Sequence, residues 1–184
     1  MALRSDGGVA LVLVLMSVLL LSALGTALVL TTSTETLIAG NFRAATEARY
    51  AAEAAADWAI DELSGTLDWA AVLDGTLASA VVDGPATGRR ILIDGTEIDL
   101  DAAASTLSGG RLYAYGYLSA FVPDVVSPLY IVAVVAPVAS DSGRLIIRAD
   151  AIGPRGIRQA VEVAITRRSG LPGGLWTVSW RPVA

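Results

Sequence analysis

The sequence predicts an α+β protein in which one long N-terminal helix packs on an antiparallel β-sheet head. Residues 9–30 are a 22-residue apolar run without a charge, and residues 44–63 are rich in alanine and other strong helix formers. The rest of the chain alternates short apolar stretches with turns that contain Gly. Because no proline interrupts residues 8–63, the apolar and alanine-rich segments are expected to form one continuous helix.

The composition excludes most enzyme classes. The chain has no Cys and no His, which excludes Cys/His zinc sites, thiolate nucleophiles and catalytic arrangements that need His. All 13 basic residues are Arg, so a Walker-type phosphate loop and Schiff-base chemistry are excluded as well. The net charge of −5 argues against nucleic acid as a partner. We predict a protein that is not an enzyme, without a catalytic site, a cofactor, a metal or a small-molecule substrate.

Residues 9–30 are long enough to span a membrane and contact lipid. A helix of this length extends about 33 Å, and a hydrocarbon core is about 30 Å thick. Residues 1–8 form a short polar leader that ends in Gly7-Gly8, directly before Val9. Three interpretations are open: a cleaved secretory signal, a plain anchor, and a prepilin-type segment. The apolar run exceeds the usual signal-peptide core of about 7–15 residues, which disfavours the first.

Residues 31–63 are predicted to continue the helix as an amphipathic segment. Small residues recur at three- and four-residue steps and predict a stripe that packs closely on the sheet: Ala48, Ala51, Ala52, Ala55 and Ala59. Acidic residues recur on another face, where Arg49 is placed to pair with Glu53 one turn away. Gly65 is expected to end the helix.

Residues 64–184 are predicted to form the β-rich head. Asp94-Gly95 indicates a two-residue hairpin turn between strands at 89–93 and 96–100. Further strands are predicted near residues 111–118, 129–138, 144–151, 158–165 and 176–181, with 129–138 as a central strand. The aromatic residues of these strands could pack in the core or form an exposed adhesive surface, and core packing is the favoured interpretation. These residues are Tyr113, Tyr115 and Tyr117, predicted on one face of a strand, and Trp176 and Trp180 near the end of the sequence.

The acidic hairpin at residues 94–101 is the one candidate metal site. Its carboxylates, from Asp94, Glu97, Asp99 and Asp101, are oxygen ligands of the type that calcium prefers. The EF-hand spacing is absent, so a solvated hairpin face is the favoured interpretation.

Three motifs at a fixed spacing carry a family resemblance. They are Gly8-Val9-Ala10-Leu11-Val12, then Ser33-Thr34-Glu35 with Ile38-Ala39-Gly40-Asn41-Phe42-Arg43, and finally Tyr50-Ala51-Ala52-Glu53-Ala54. Over about the first 63 residues the chain resembles the N-terminal region of the PilX family of type IV pilus assembly proteins, which are minor, pilin-like subunits. The resemblance implies that a prepilin peptidase cleaves after Gly8, that the new N-terminus at Val9 is methylated, and that the helix enters a filament.

The resemblance also implies partners and an orientation. The partners are other pilin-like subunits and the inner-membrane assembly machinery of a pilus or a secretion pseudopilus. The expected topology is a single pass through the inner membrane, with a cytoplasmic N-terminus that Arg4 favours and a periplasmic head. The expected assembly residues lie along the helix: Leu13, Glu35, Gly40, Asn41, Arg43 and Glu53.

Leu13 departs from the pattern of major pilins, which carry Glu at the fifth mature residue. A carboxylate in an apolar helix bundle is costly unless a cation meets it. In major pilins this carboxylate pairs with the N-terminal amine of a neighbouring subunit. A subunit with no neighbour above it has no such amine to pair with, so Leu13 favours a place at the filament tip, where the subunit initiates or caps assembly. Two alternatives stay open: a bitopic membrane protein with a β-rich binding head that never polymerises, and a periplasmic hydrolase that uses only carboxylates.

Overall fold

The computed structural model describes residues 7–66, 69–138, 141–167 and 174–183. Its helices are α1 (Gly7–Gly65), α2 (Ala70–Leu73), α3 (Leu100–Ala104) and α4 (Leu118–Phe121), with a 3-10 turn at Pro154–Gly156. Its strands are β1 (Arg89–Ile91), β2 (Glu97–Asp99), β3 (Arg111–Tyr117), β4 (Tyr130–Val138), β5 (Asp141–Ile152), β6 (Arg158–Arg167) and β7 (Leu175–Val183). Contacts divide the chain into two units, residues 1–43 and 44–184, which are described separately.

The first unit is a helix that exposes its apolar side chains. Between Val9 and Leu30 the large apolar side chains are 55% to 70% exposed, and the most apolar 18-residue window has a mean hydropathy of 2.6 with none of it buried. Ser17 donates to the Leu13 carbonyl at 2.8 Å and Thr26 to the Ser22 carbonyl at 2.9 Å, so their hydroxyls are satisfied within the helix. This helix is long and apolar enough to cross a membrane.

In the second unit the alanine stripe of α1 packs on a five-stranded antiparallel sheet. Ala48, Ala52, Ala55 and Ala59 have no exposed surface and share one core with side chains of β3, β4, β5 and β6. Small side chains permit the close approach of helix and sheet, because the stripe contributes only methyl groups from the helix side. The predicted α+β architecture, with a long helix packed on antiparallel sheet, is confirmed.

Each strand of the large sheet pairs with its neighbour in the chain, in the order β3-β4-β5-β6-β7. Strand β4 is buried from Tyr130 to Ala136, so the prediction of a central strand covered on both faces is correct. One face meets α1. The other face is covered at β3 and β4 by the β1–β2 hairpin and α3, through a second core that includes Ile98, Leu100, Tyr130 and Val132.

The hairpin turn at Asp94-Gly95 is wider than predicted. Ile91 pairs with Glu97, which leaves residues 92–96 in the turn. Leu92 donates its N–H to the Thr96 carbonyl at 2.8 Å, and the Asp94 carboxylate accepts from the Thr96 hydroxyl at 2.7 Å. The prediction of a two-residue turn was wrong, because the paired strand residues end at Ile91 and Glu97 and the bend between them is closed by backbone and Asp94 hydrogen bonds.

The tyrosine row does not lie on one face of β3. The register of β3 against β4 shifts between Leu112 and Ala114, so Tyr113 occupies a bulge. Tyr113 therefore joins the core beneath α1, whereas Tyr115 and Tyr117 pack in the core on the opposite face. The prediction that the three tyrosines pack in the core is correct, and the prediction that they share one face of the strand was wrong.

The two C-terminal tryptophans are exposed, which corrects the favoured prediction that they pack in the core. Trp176 is 58% exposed and Trp180 is 40% exposed. Both lie on β7, at the edge of the sheet, where only Leu175 of the described β7 residues packs against the core beneath α1, and the buried strand residues of that core come from β3 to β6.

Alkaline pH is expected to unfold the head as buried tyrosines lose their protons. Burial, with Glu62 nearby, raises the pKa of Tyr113, and burial, with Asp83 nearby, raises the pKa of Tyr130. In the unfolded chain both ionise near about pH 10, so the unfolded state binds fewer protons above that pH and stability falls as pH rises. Phenolate absorbance should show late-titrating groups that disappear in Tyr113→Phe and Tyr130→Phe. Titration of all tyrosines in one early step, before loss of circular dichroism, would contradict this.

Candidate processing site and assembly helix

The Gly8–Val9 junction lies in the first turn of α1 and is open to solvent. Among the described residues, no atom beyond the adjoining residues and backbone of the helix lies within 4 Å of the position that a Cβ on Gly8 would occupy, and Val9 is 65% exposed. Packing in the described chain therefore gives no reason for a glycine at this position. Residues 1–6 of the predicted leader lie outside the described residues.

The predicted assembly residues of the first unit are spread along α1. Leu13 is 60% exposed, and Glu35, Asn41 and Arg43 are exposed as well. Gly40 has open space around it. Leu13 and Glu35 are separated by about 33 Å along the helix axis, at 1.5 Å per residue. The structure does not bring these residues into a pocket, and an elongated arrangement of this kind suits contact with other helices.

Glu53 lies on the second unit and makes the predicted local pair. Arg49 contacts it at 3.0 Å, with the two side chains 56% and 25% exposed. An exposed pair one turn apart contributes only about 0.3–0.5 kcal/mol. Its contribution to folding is therefore small.

The carboxylates of the acidic hairpin are engaged in local structure. Asp99 caps α3 by accepting from Ala102 N–H at 2.9 Å, and Asp101 accepts from Gly88 N–H at 3.0 Å. Glu97 contacts Arg89 at 2.6 Å. Hydrogen bonds from the Thr96 hydroxyl and backbone hold the pKa of Asp94 below its usual range. Over the described ranges, no group of three or more Asp and Glu residues is arranged to hold a metal ion.

A buried ion-pair network that sequence reasoning missed crosses the sheet on the face away from α1. Asp150 has no exposed surface and accepts from Arg148 at 2.9 and 3.2 Å and from Arg158 at 3.0 Å. Glu162, 8% exposed, accepts from Arg148 at 3.4 Å and from Arg181 on β7. The hydrogen bond to Asp150, ahead of the attraction of both carboxylates, raises the pKa of Arg148.

The signal for this network was present in the alternation of charges along β5 and β6. Arg148 pairs directly with Glu162 in the strand register, and Arg181 is the partner of Glu162 on the other side. Charged residues that alternate along a strand are usually solvated. The pairing of β5 with β6 and of β6 with β7 is what surrounds these carboxylates with arginine side chains.

A cleft of about 380 Å³ between α3 and β5 contains no catalytic arrangement. Its lining includes Asp99, Thr106, Ile152 and Arg158. Asp99 already caps α3, and Arg158 already pairs with Asp150. The polar groups of this cleft are therefore engaged in the fold.

Comparison with known proteins identifies the N-terminal region. The family model described as PilX N-terminal matches residues 7–57. The chain matches no curated protein and no solved structure. The match spans the Gly8–Val9 junction and the predicted assembly residues from Leu13 to Glu53, and it confirms the resemblance drawn from the motifs. Residues 7–57 are thus similar to the N-terminal region of the PilX family, and they include most of the helix that is long and apolar enough to cross a membrane.

Proposed function

We propose that the chain is a minor pilin-like structural subunit that helps to assemble a type IV pilus or a related secretion pseudopilus. The observation that carries this proposal is the exposed apolar helix that opens the PilX-type region. Each large apolar side chain gains about 1.5–3 kcal/mol on full burial. Before assembly, membrane lipid covers this apolar surface. Once the subunit leaves the membrane for a filament, the helices of other subunits must cover it.

The proposed topology is a single pass through the inner membrane, with the N-terminus in the cytoplasm and the head in the periplasm. Arg4 favours the cytoplasmic side for the N-terminus. A prepilin peptidase then cleaves after Gly8, and Val9 becomes the methylated N-terminus. The open surroundings of Gly8 in the helix support this assignment, because no packing contact in the described chain requires Gly there.

Replacing Gly8 by Leu is expected to leave the leader attached and to remove the protein from filaments, because the peptidase needs a small residue at the cleaved bond. Intact-mass measurement of the membrane-extracted chain checks this. Gly25→Leu is a matched control, since Gly25 also lies in the apolar helix with no neighbour within 4 Å of a built Cβ, and it should be processed normally. Cleavage before Val9 in the Gly8→Leu chain would contradict the proposed processing site.

We propose further that the subunit initiates or caps the filament at its tip. Leu13 supports this place, because a shaft subunit needs a carboxylate there to meet the amine of the subunit above, whereas a tip subunit has no such amine to meet. Deletion of the protein is expected to reduce the number of filaments more than their length, and Leu13→Glu should not improve assembly. Immunogold labelling should decorate filament ends. Even labelling along the shaft would overturn the tip assignment.

The exposed tryptophans of β7 favour a second candidate, a bitopic membrane protein that binds a partner through its head and never polymerises. Trp176 and Trp180 are placed at a sheet edge rather than in a core. This candidate predicts that the chain keeps its place in the membrane fraction in cells that bear filaments, and that it is absent from filaments sheared off those cells.

A further inference from the structure

The two edges of the large sheet differ in how they are covered. Along β3, Ser79 and Asp83 donate their N–H groups to the carbonyls of Tyr113 and Tyr115, both at 2.9 Å, and Tyr115 N–H donates to Val81. Along β7, no segment of the described chain pairs with the outer edge. An edge of this kind presents backbone donors and acceptors on which another strand can pair.

Strand β7 carries its edge-protecting features away from its first residues: its register against β6 shifts at Val178, and Arg181 lies near its C-terminal end. Its only proline is Pro182, near the C-terminal end, and between Leu175 and Trp180 it carries no charge. The register places Trp180 opposite Val163, on the face of α1, and Trp176 opposite Thr166, on the other face. A strand added beside β7 would therefore have the Trp180 indole, 40% exposed, on one of its faces.

The segment that forms β5, β6 and β7 is rich in arginine, and this positive charge indicates which kind of strand would pair with β7. Residues 141–184 carry seven Arg and three acidic residues, whereas residues 44–140 carry four Arg and thirteen acidic residues. The network on the sheet surface has three Arg for two carboxylates, and its outermost member, Arg181, keeps 70% of its side chain exposed. Pairing β7 with β7 of a second copy would bring two basic regions together, so this charge pattern disfavours a self-pair and favours an acidic strand.

We propose that β7 accepts an extended, carboxylate-bearing segment of another protein as a sixth strand of the sheet. Backbone hydrogen bonds would supply affinity, the Trp180 indole would pack on a side chain of the added strand, and Arg181 would pair with the carboxylate. This interaction concerns the head alone and stands whether or not the helix enters a filament.

The absence of Cys gives a direct test in the full-length chain in cells. Thr177→Cys, on β7, is labelled with a benzophenone maleimide and irradiated, and the adducts are mapped by mass spectrometry. Ser119→Cys, at an exposed position of α4, is the matched control. The expected adduct joins residue 177 to an extended acidic segment of another protein and is absent at residue 119. An adduct to a second copy of this chain, an adduct to a segment without carboxylates, or equal capture at residue 119 would overturn the proposal.

A charge variant tests the role of Arg181. Arg181→Gln should lower the yield of the Thr177→Cys adduct about five-fold, the size expected for loss of one charge-assisted pair. Arg155→Gln removes an exposed charge from the neighbouring turn and should leave the yield unchanged. Limited proteolysis of the head shows that each variant is folded, and Arg181→Lys, which restores the charge, should recover most of the yield. Equal yields from the folded Arg181 and Arg155 variants would overturn the selection of an acidic strand.

Discussion

Replacing Asp150 by Ala is expected to destabilise the head by about 3–5 kcal/mol, the usual cost of removing one partner from a buried ion pair. The Asp150 carboxylate has no exposed surface and holds both Arg148 and Arg158. Without it, Arg148 keeps a single contact at 3.4 Å to Glu162 while only 16% of its side chain is exposed. The loss therefore leaves a guanidinium enclosed with too few acceptors.

Chemical unfolding of the full chain in detergent, followed by near-UV circular dichroism of the tryptophans, measures this loss. Glu97→Ala is the matched control, because Glu97 also loses an arginine partner but is 49% exposed, and it should cost less than about 1 kcal/mol. Equal changes in the free energy of unfolding for Asp150→Ala and Glu97→Ala would show that burial of the network adds nothing.

Replacing Ala55 by Trp is expected to destabilise the head by about 1–3 kcal/mol or more, because overpacking forces helix and sheet apart. Ala55 has no exposed surface and belongs to the core shared by α1 and strands β3 to β6. The same unfolding experiment gives the value. Asp57→Trp adds the same side chain to the exposed face of α1 and should change stability by less than about 0.5 kcal/mol. An Ala55→Trp chain as stable as the Asp57→Trp chain would mean that the stripe does not pack on the sheet.

The parts of the fold that were predictable from sequence are those with a local cause. Absence of proline, the alanine spacing and the apolar run predict a helix that the structure places at Gly7–Gly65. The apolar run at residues 129–138 predicts the central strand, because burial on both faces removes alternation.

The errors have tertiary causes. The bulge at Tyr113 depends on the pairing of β3 with β4, which a strand's own period does not encode. Trp176 and Trp180 resemble core residues by type, and their exposure follows only from the place of β7 at the sheet edge. The enclosure of Asp150 likewise arises from the register of β5 with β6.

The candidate site could be proposed from sequence for a different reason. The Gly8–Val9 junction and the motif positions up to Glu53 stand at fixed spacing in one helix, so linear sequence preserves their arrangement. The edge of β7 has no such linear signature, because a strand becomes an edge only through what the remainder of the sheet leaves unpaired.

The intact mass of the chain recovered from sheared filaments is the most direct test of the claim that it is a pilin-like subunit. We expect the chain in this fraction at a low ratio to the major subunit, with the mass of a polypeptide that begins at Val9 and carries one added methyl group. Recovery of the chain only from the membrane fraction, with the mass of all 184 residues, would contradict its role as a filament subunit.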